Sequence, residues 1–356
     1  MRVLAALSGG VDSAVAAGLL AEAGHEVIGV TLQLYDHGAA TGRPGACCAG
    51  EDIADARRVA DRLGIPHYVI DAEARFRDAV IGDFAASYAA GETPVPCVRC
   101  NQSVKFADLS ALARGLGAER LATGHYVRRV DGPDGPELWR ARDPARDQSW
   151  FLFATTREQL ARCLFPLGGM ADKAAVRAEA ERLGLPVAAK PDSQDLCFVP
   201  AGSYADLAGR LRPDALAPGE VVDRAGTVLG RHDGIARYTV GQARRLPPPA
   251  QGQVVVALDA PARRVVVGPR DSGTTLVRLR ETNWLVDLPA EGRRCAVKLR
   301  GRDSLRPAWV RPASVHPSGA GGRAEVRLDS PALPAPGQAC VVYDGERVLG
   351  GGFIAA

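Results

Sequence analysis

The stretch VLAALSGGVDSAVAAGLL, residues 3–20, constrains this chain more than any other. An apolar run breaks into Ser8-Gly9-Gly10-Val11-Asp12-Ser13, and an Ala- and Leu-rich segment of helical composition follows at once. A strand that turns directly into a helix aims backbone N–H groups and the helix N-terminus at one point, which makes an anion site. Gly9 and Gly10 let the backbone take positive φ and approach a phosphate closely. Ser8 and Ser13 add hydroxyl donors. Asp12 would repel a bare phosphate, so its presence implies Mg2+ carried with the anion. The loop lacks the Gly-Lys-Ser/Thr ending of one common nucleotide motif and the third glycine of the dinucleotide fingerprint.

The next 180 residues alternate strand and helix signals. Apolar strands are expected over 2–7, 25–34, 67–70 and 121–123, and helices over 12–23, 51–63, 74–90 and 101–116. This order implies a doubly wound parallel sheet covered on both faces, with ligands at the carboxyl ends of the strands. After about residue 200, Pro, Gly and β-branched runs such as Val254-Val255-Val256 take over. The expected organisation is a catalytic domain over 1–203, a small α+β connector over 204–262 and a C-terminal β-barrel over 263–356.

No run approaches the ~18 apolar residues of a membrane span. Asp12 and the glycines interrupt the only N-terminal apolar run, so no signal peptide is read and a cytoplasmic protein without a membrane partner is expected. The net charge is only +3, yet of 44 basic residues four are lysines, at 105, 173, 190 and 298. Codon usage and phosphate recognition by Arg forks both fit that bias.

The eight cysteines of a cytosolic chain of this size are not a disulfide scaffold; some are expected to be ordinary buried thiols, Cys163, Cys295 and Cys340 among them, and any with work to do is catalytic, redox-active or metal-binding. Cys100 is expected at or just before a helix start beside Arg99 and Lys105, where a thiol pKa falls. Cys197 sits in the polar stretch DSQDLCF. A nucleophile or sulfur-carrier pair is one reading. Half of a zinc site, or Cys97, Cys100 and Cys197 around an iron–sulfur cluster with one open iron, are others. Cys47-Cys48 is read as structural or incidental.

The loop SGGVDS resembles that of ATP pyrophosphatases, and the whole pattern resembles the tRNA-specific 2-thiouridylases. The motifs are SGGVDS (8–13), CNQSVKF (100–106), ATGHY (122–126), RDQSWFL (146–152), DSQDLCF (192–198), YTVGQ (238–242), PGQ (336–338) and LGGGFI (349–354). Cys97 stands where many relatives carry Asp. The resemblance implies an N-type ATP pyrophosphatase fold of the adenine nucleotide alpha hydrolase kind. It implies ATP-dependent adenylylation of the uridine C2 oxygen at the anticodon wobble position, then sulfur transfer from a persulfide on Cys197, giving 2-thiouridine, AMP and pyrophosphate. Cys100 resolves the persulfide to a Cys100–Cys197 disulfide, and Asp12 orients Mg2+. The nucleotide residues implied are Ala6, Leu7, Ser8, Gly9, Gly10, Val11, Asp12, Ser13, Leu32 and Gly124. Those implied for tRNA are Val98, Arg99, His125, Arg146, Asp147, Gln148, Arg300 and Gln338. A persulfide donor protein and a thiol reductant are the implied partners. The rivals are an amidating synthetase that acts on a small molecule through the same loop, and an iron–sulfur-dependent tRNA thiolase.

Overall fold

The computed structural model describes residues 1–34, 48–192, 196–199, 203–314 and 320–356; Cys47 and the stretch Ser193-Gln194-Asp195 lie outside them. The chain divides into two units. One comprises 1–79, 97–200 and 346–348, and the other 80–96, 201–345 and 349–356.

In the first unit the apolar runs form β1 (Arg2–Ala6), β2 (Glu26–Gln33), β3 (His67–Asp71), β4 (Arg120–Ala122), β5 (Val127–Gly132), β6 (Gly135–Arg140) and β7 (Cys163–Leu164). Five of them make a sheet in the order β3-β2-β1-β4-β7, with every pairing parallel. The order reverses between β1 and β4, so the segments leaving those two strands, SGGVDS and ATGHY, emerge at the switch point where open α/β sheets bind ligands. Helix α1 (Val11–Glu22) is built largely from Ala and Val, and Ala14, Val15, Ala16 and Ala17 pack into the same core as Val3, Ala5 and Val27. Small side chains bring the helix close over the sheet. Helix α2 (Cys48–Leu63) adds Ala56, Val59 and Ala60 to that core.

Sequence reading left out the hairpin β5–β6, closed between Gly132 and Gly135. Arg347 and Val348 pair with Trp139 and Leu138 of β6.

The second unit holds two β assemblies. Strands β8 (Gly219–Val222), β9 (Val228–His232), β10 (Val254–Asp259) and β11 (Arg264–Gly268) form a sheet in the order β10-β11-β8-β9 around Val221, Tyr238, Val255, Val265 and Val267. The C-terminal strands are β12 (Thr274–Trp284), β13 (Arg293–Lys298), β14 (Arg306–Ser314), β15 (Ala320–Ala332), β16 (Ala339–Asp344) and β17 (Arg347–Ile354). Their order is β12-β15-β14-β13-β16-β17, and β17 pairs back onto β12. That closes a six-stranded barrel and leaves no open edge. Alternate residues such as Val277 with Leu279, and Val326 with Leu328, point into its core. Among the described residues no helix is long and apolar enough to cross a membrane.

Candidate functional site

The glycine loop is wound around one hydroxyl. Ser13 is buried, and its Oγ accepts from the Ser8 N–H at 3.0 Å, lies 3.1 Å from Ser8 Oγ and donates to the Gly10 carbonyl at 3.1 Å. Gly9 has φ +76°, and a Cβ there would lie 2.3 Å from the Asp52 carbonyl oxygen. Only glycine fits. Leu7 is fixed from both sides, its N–H donating to Val30 O and its carbonyl accepting from Thr31 Oγ1. Leu32 is half-buried further along β2. Gly10 caps α1 with no side-chain hydrogen bond, which leaves the first-turn N–H groups for an anion. Gly124 backs onto this turn: a Cβ would come within 2.7 Å of the Ser13 nitrogen and 2.8 Å of the Asp12 carbonyl carbon. The ATGHY segment and the glycine loop are therefore one site.

Asp12 is not the helix cap. Its Oδ1 accepts from Tyr126 Oη at 2.6 Å and from Lys173 Nζ at 2.7 Å. Lys173 also reaches Asp192 Oδ1 at 2.8 Å, and Asp192 in turn pairs with Arg146 at 2.8 Å and Arg177 at 3.2 Å. Burial works to raise the Asp192 carboxyl, but Lys173 and Arg146 outweigh it and hold it below the usual range. A charge chain thus runs from the glycine loop to the residue that opens DSQDLCF. A second lysine braces the other side: Lys190 Nζ donates to Gly9 O at 3.0 Å and pairs with Asp52 and Asp55 at the start of α2. Sequence reading missed both lysines. Their signal was scarcity: in a chain with so many arginines, a lysine marks a place that needs a compact point charge.

Three thiols lie within electrostatic reach of a third lysine, Lys105. The helix begins at Pro96, so Cys97 and Cys100 lie in helix α3 (Pro96–Cys100), one turn apart, and not ahead of it. Residues Asn101–Lys105 form a π turn before helix α4 (Phe106–Gly115). In an α-helix Lys105 would lie about 140° around from Cys100. A π turn bonds i to i+5 and brings the two onto one face. Cys97 and Cys197 are exposed and Cys100 is buried. The helix-start expectation of lowered thiols is corrected: burial raises Cys97 and Cys100, and the protein atoms crowding the Cys197 sulfur push it up to about 12, though the residue itself is exposed. Lys105 pulls against burial at all three. Burial works to lower Lys105 itself, but Cys100, Cys197 and Cys97 together outweigh it and hold its ammonium above the usual value. The charges of all three sulfurs and one amine are felt in common. His125, which accepts or donates at Thr123 Oγ1 (2.9 Å) and stacks on Phe106, is pushed down to about 3 by burial and by Lys105, so it stays neutral.

Among the described residues no group of three or more Cys, His, Asp or Glu side chains is arranged to hold a metal ion. Cys97, Cys100 and Cys197 are thus not grouped as cluster ligands, and the iron–sulfur alternative is not supported. Asp12 fits Mg2+ better, as an oxygen donor with one carboxylate oxygen outside the Tyr126 and Lys173 bonds.

The residues implied for tRNA divide. Arg146 is exposed and Arg99 half-buried. Val98 is fully buried. The Asp147 side chain is 2% exposed and is spent on Arg140 and the N–H groups of Ala141 and Ser149, and Gln148 Oε1 accepts from the Tyr126 N–H. In this conformation the Val98 and Asp147 side chains are both turned into the protein. Arg300 and Gln338 belong to the second unit, where Arg300 donates to Val240 O (2.7 Å) and Gln338 to Thr93 O (3.1 Å).

Family models match three parts of the chain: a "tRNA methyl transferase HUP domain" over 1–201, a "tRNA methyl transferase PRC-barrel domain" over 210–269 and an "Aminomethyltransferase beta-barrel domain" over 274–354. A protein of Acidiphilium cryptum named tRNA-specific 2-thiouridylase MnmA is 69% identical over 99% of this chain and 100% of its own length. One of the same name from Gluconobacter oxydans is 62% identical over 100% of this chain and 99% of its own. With its glycine loop, its thiols and its three matched parts, this chain belongs to the tRNA-specific 2-thiouridylase family.

Proposed function

We propose that this chain is a tRNA-uridine 2-sulfurtransferase that replaces the C2 oxygen of a wobble uridine with sulfur at the expense of ATP. The carrying observation is that three thiols feel the charge of one lysine in the same unit as the glycine loop, with the Asp12–Lys173–Asp192 chain running from that loop to the first residue of the segment that carries Cys197. A carbonyl oxygen on a pyrimidine ring is a poor leaving group, and adenylyl transfer onto it makes a good one. The N–H groups at the start of α1 stabilise the phosphates, and pyrophosphate leaves through the Gly9-Gly10 turn. Asp12 would hold Mg2+, which neutralises phosphate charge when bound. Lys173 fixes the Asp12 carboxylate, and the neutral His125 offers a hydrogen bond beside Gly124 without a competing charge.

A protein donor loads sulfur onto the exposed Cys197, whose persulfide attacks C2 as AMP departs. The Cys100 thiolate then attacks the Cys197 sulfur of the Cys197–S–S–C2 adduct: the S–S bond breaks, the outer sulfur stays on C2 as the thiocarbonyl, and Cys100–Cys197 is left as a disulfide for a thiol reductant. Arg99, Arg146, Arg300 and Gln338 contact the RNA, and the base leaves its stack to reach the pocket. The reaction takes place in the cytoplasm. Methyl transfer, the wording of two of the matched family models, uses neither a thiol pair nor an ATP-cleaving loop. An amidating synthetase would need the loop and not the thiols. Alanine at Cys100 or Cys197 discriminates: the proposed enzyme loses 2-thiouridine formation in both variants, and unaffected turnover in either would support the synthetase.

A further inference from the structure

The cluster holds one thiol more than the proposed reaction uses. Cys97 is exposed, lies one turn before the buried Cys100 on α3, and its charge is felt by Lys105 together with those of Cys100 and Cys197. Helix geometry sets residues i and i+3 about 5 Å apart at Cα. That is inside the span of about 4.4–6.8 Å that a disulfide bridges. Cys97 is thus a neighbour of the sulfur that the reaction leaves oxidised.

We propose that Cys97 is the thiol that resets the enzyme by internal exchange, which rests on the sulfurtransferase reading above. After turnover the Cys97 thiolate attacks the Cys100 sulfur of the Cys100–Cys197 disulfide. The Cys97–Cys100 bond forms as the Cys100–Cys197 bond breaks, and Cys197 leaves as a thiolate. The proton lost by Cys97 is balanced by the one Cys197 takes up. No net oxidation occurs in this step. Two electrons then come from an external dithiol, which is oxidised to its disulfide as the Cys97–Cys100 pair is reduced. Lys105 favours attacking and leaving thiolate alike, since its charge acts on all three sulfurs. The exchange frees Cys197 for the next persulfide and leaves the oxidised bond on the Cys97–Cys100 pair, where an external dithiol reduces it at the exposed Cys97.

The test follows the disulfide. The protein is loaded with sodium polysulfide and given ATP, Mg2+ and an unmodified tRNA transcript. It is quenched with N-ethylmaleimide after one turnover, then digested without reductant. The expected result is 2-thiouridine in the tRNA, a Cys97–Cys100 disulfide and an alkylated Cys197. In C97S the recovered bond becomes Cys100–Cys197, and with dithiothreitol as reductant the rate after the first turnover falls about tenfold, the loss expected when an intramolecular step becomes bimolecular. Thiouridine formed with Cys100–Cys197 as the wild-type end product and Cys97 alkylated overturns the proposal and leaves the sulfurtransferase reading intact. No thiouridine at all overturns that reading instead. The exchange is then decided by diamide oxidation of the protein alone, where Cys97–Cys100 supports it and Cys100–Cys197 contradicts it.

Discussion

At the scale of single residues, Lys105 is the charge on which the thiol chemistry turns. It pulls each of three thiols down against burial. Removing it raises those pKa values, and each unit costs about tenfold in thiolate at neutral pH. Lys105→Met should therefore slow iodoacetamide alkylation of Cys197 near pH 8 and shift its pH profile upward, while Lys105→Arg retains most of the wild-type rate. An unchanged profile in Lys105→Met would remove the lysine from the account. His125 gives a prediction with the opposite sign. Its folded pKa, about 3, lies below that of an unfolded histidine, so between about pH 6.5 and 3 the unfolded chain binds a proton that the folded chain does not. Stability falls as pH drops through that window, and His125→Gln should flatten the fall in urea titrations at pH 4 to 6. No ionisation of His125 should appear in the activity profile above pH 5. Gly124→Ala places a methyl group against the Ser13 nitrogen at 2.7 Å. It should cost about 1–3 kcal/mol in stability and weaken ATP binding in calorimetry.

Among the elements, the π turn Asn101–Lys105 has the clearest consequence. It converts a lysine five residues from Cys100 into a facing neighbour. Deleting Gln102 restores α-helical phase and leaves the lysine four residues after Cys100, about 40° around and still on its face. The helical circular dichroism signal should persist and Cys197 alkylation should stay close to the wild-type rate; slowing as in Lys105→Met would mean that the turn does more than set the lysine's phase. This element also shows where sequence reading stops. The strands and helices of the parallel sheet were legible because a buried strand must be an apolar run and the two glycines must interrupt it. A π turn has no composition of its own, so CNQSVKF read as ordinary helix. The same blindness reversed the thiol pKa directions: a helix start and two cations are visible along the chain, but the burial that outweighs them is made by residues far away in sequence. Lys173 and Lys190 were missed for that reason too, since their partners Asp12 and Gly9 lie 161 and 181 positions earlier.

For the whole molecule, ATP chemistry and sulfur chemistry must meet on one substrate atom. The first unit supplies both the glycine loop and the thiols, and Asp12, Lys173 and Asp192 link the loop to the first residue of the DSQDLCF segment. The closed barrel of the second unit carries Arg300 and Gln338, which were legible as motif positions but whose internal bonds to Val240 and Thr93 were not. The most direct measurement is mass spectrometry of nucleosides from an unmodified tRNA transcript incubated with the protein, ATP, Mg2+ and a persulfide source, with AMP counted in parallel. The account predicts one 2-thiouridine per AMP released, no thiouridine without ATP, and none from Cys197→Ala. AMP released without thiouridine, or thiouridine formed by Cys197→Ala, would contradict it.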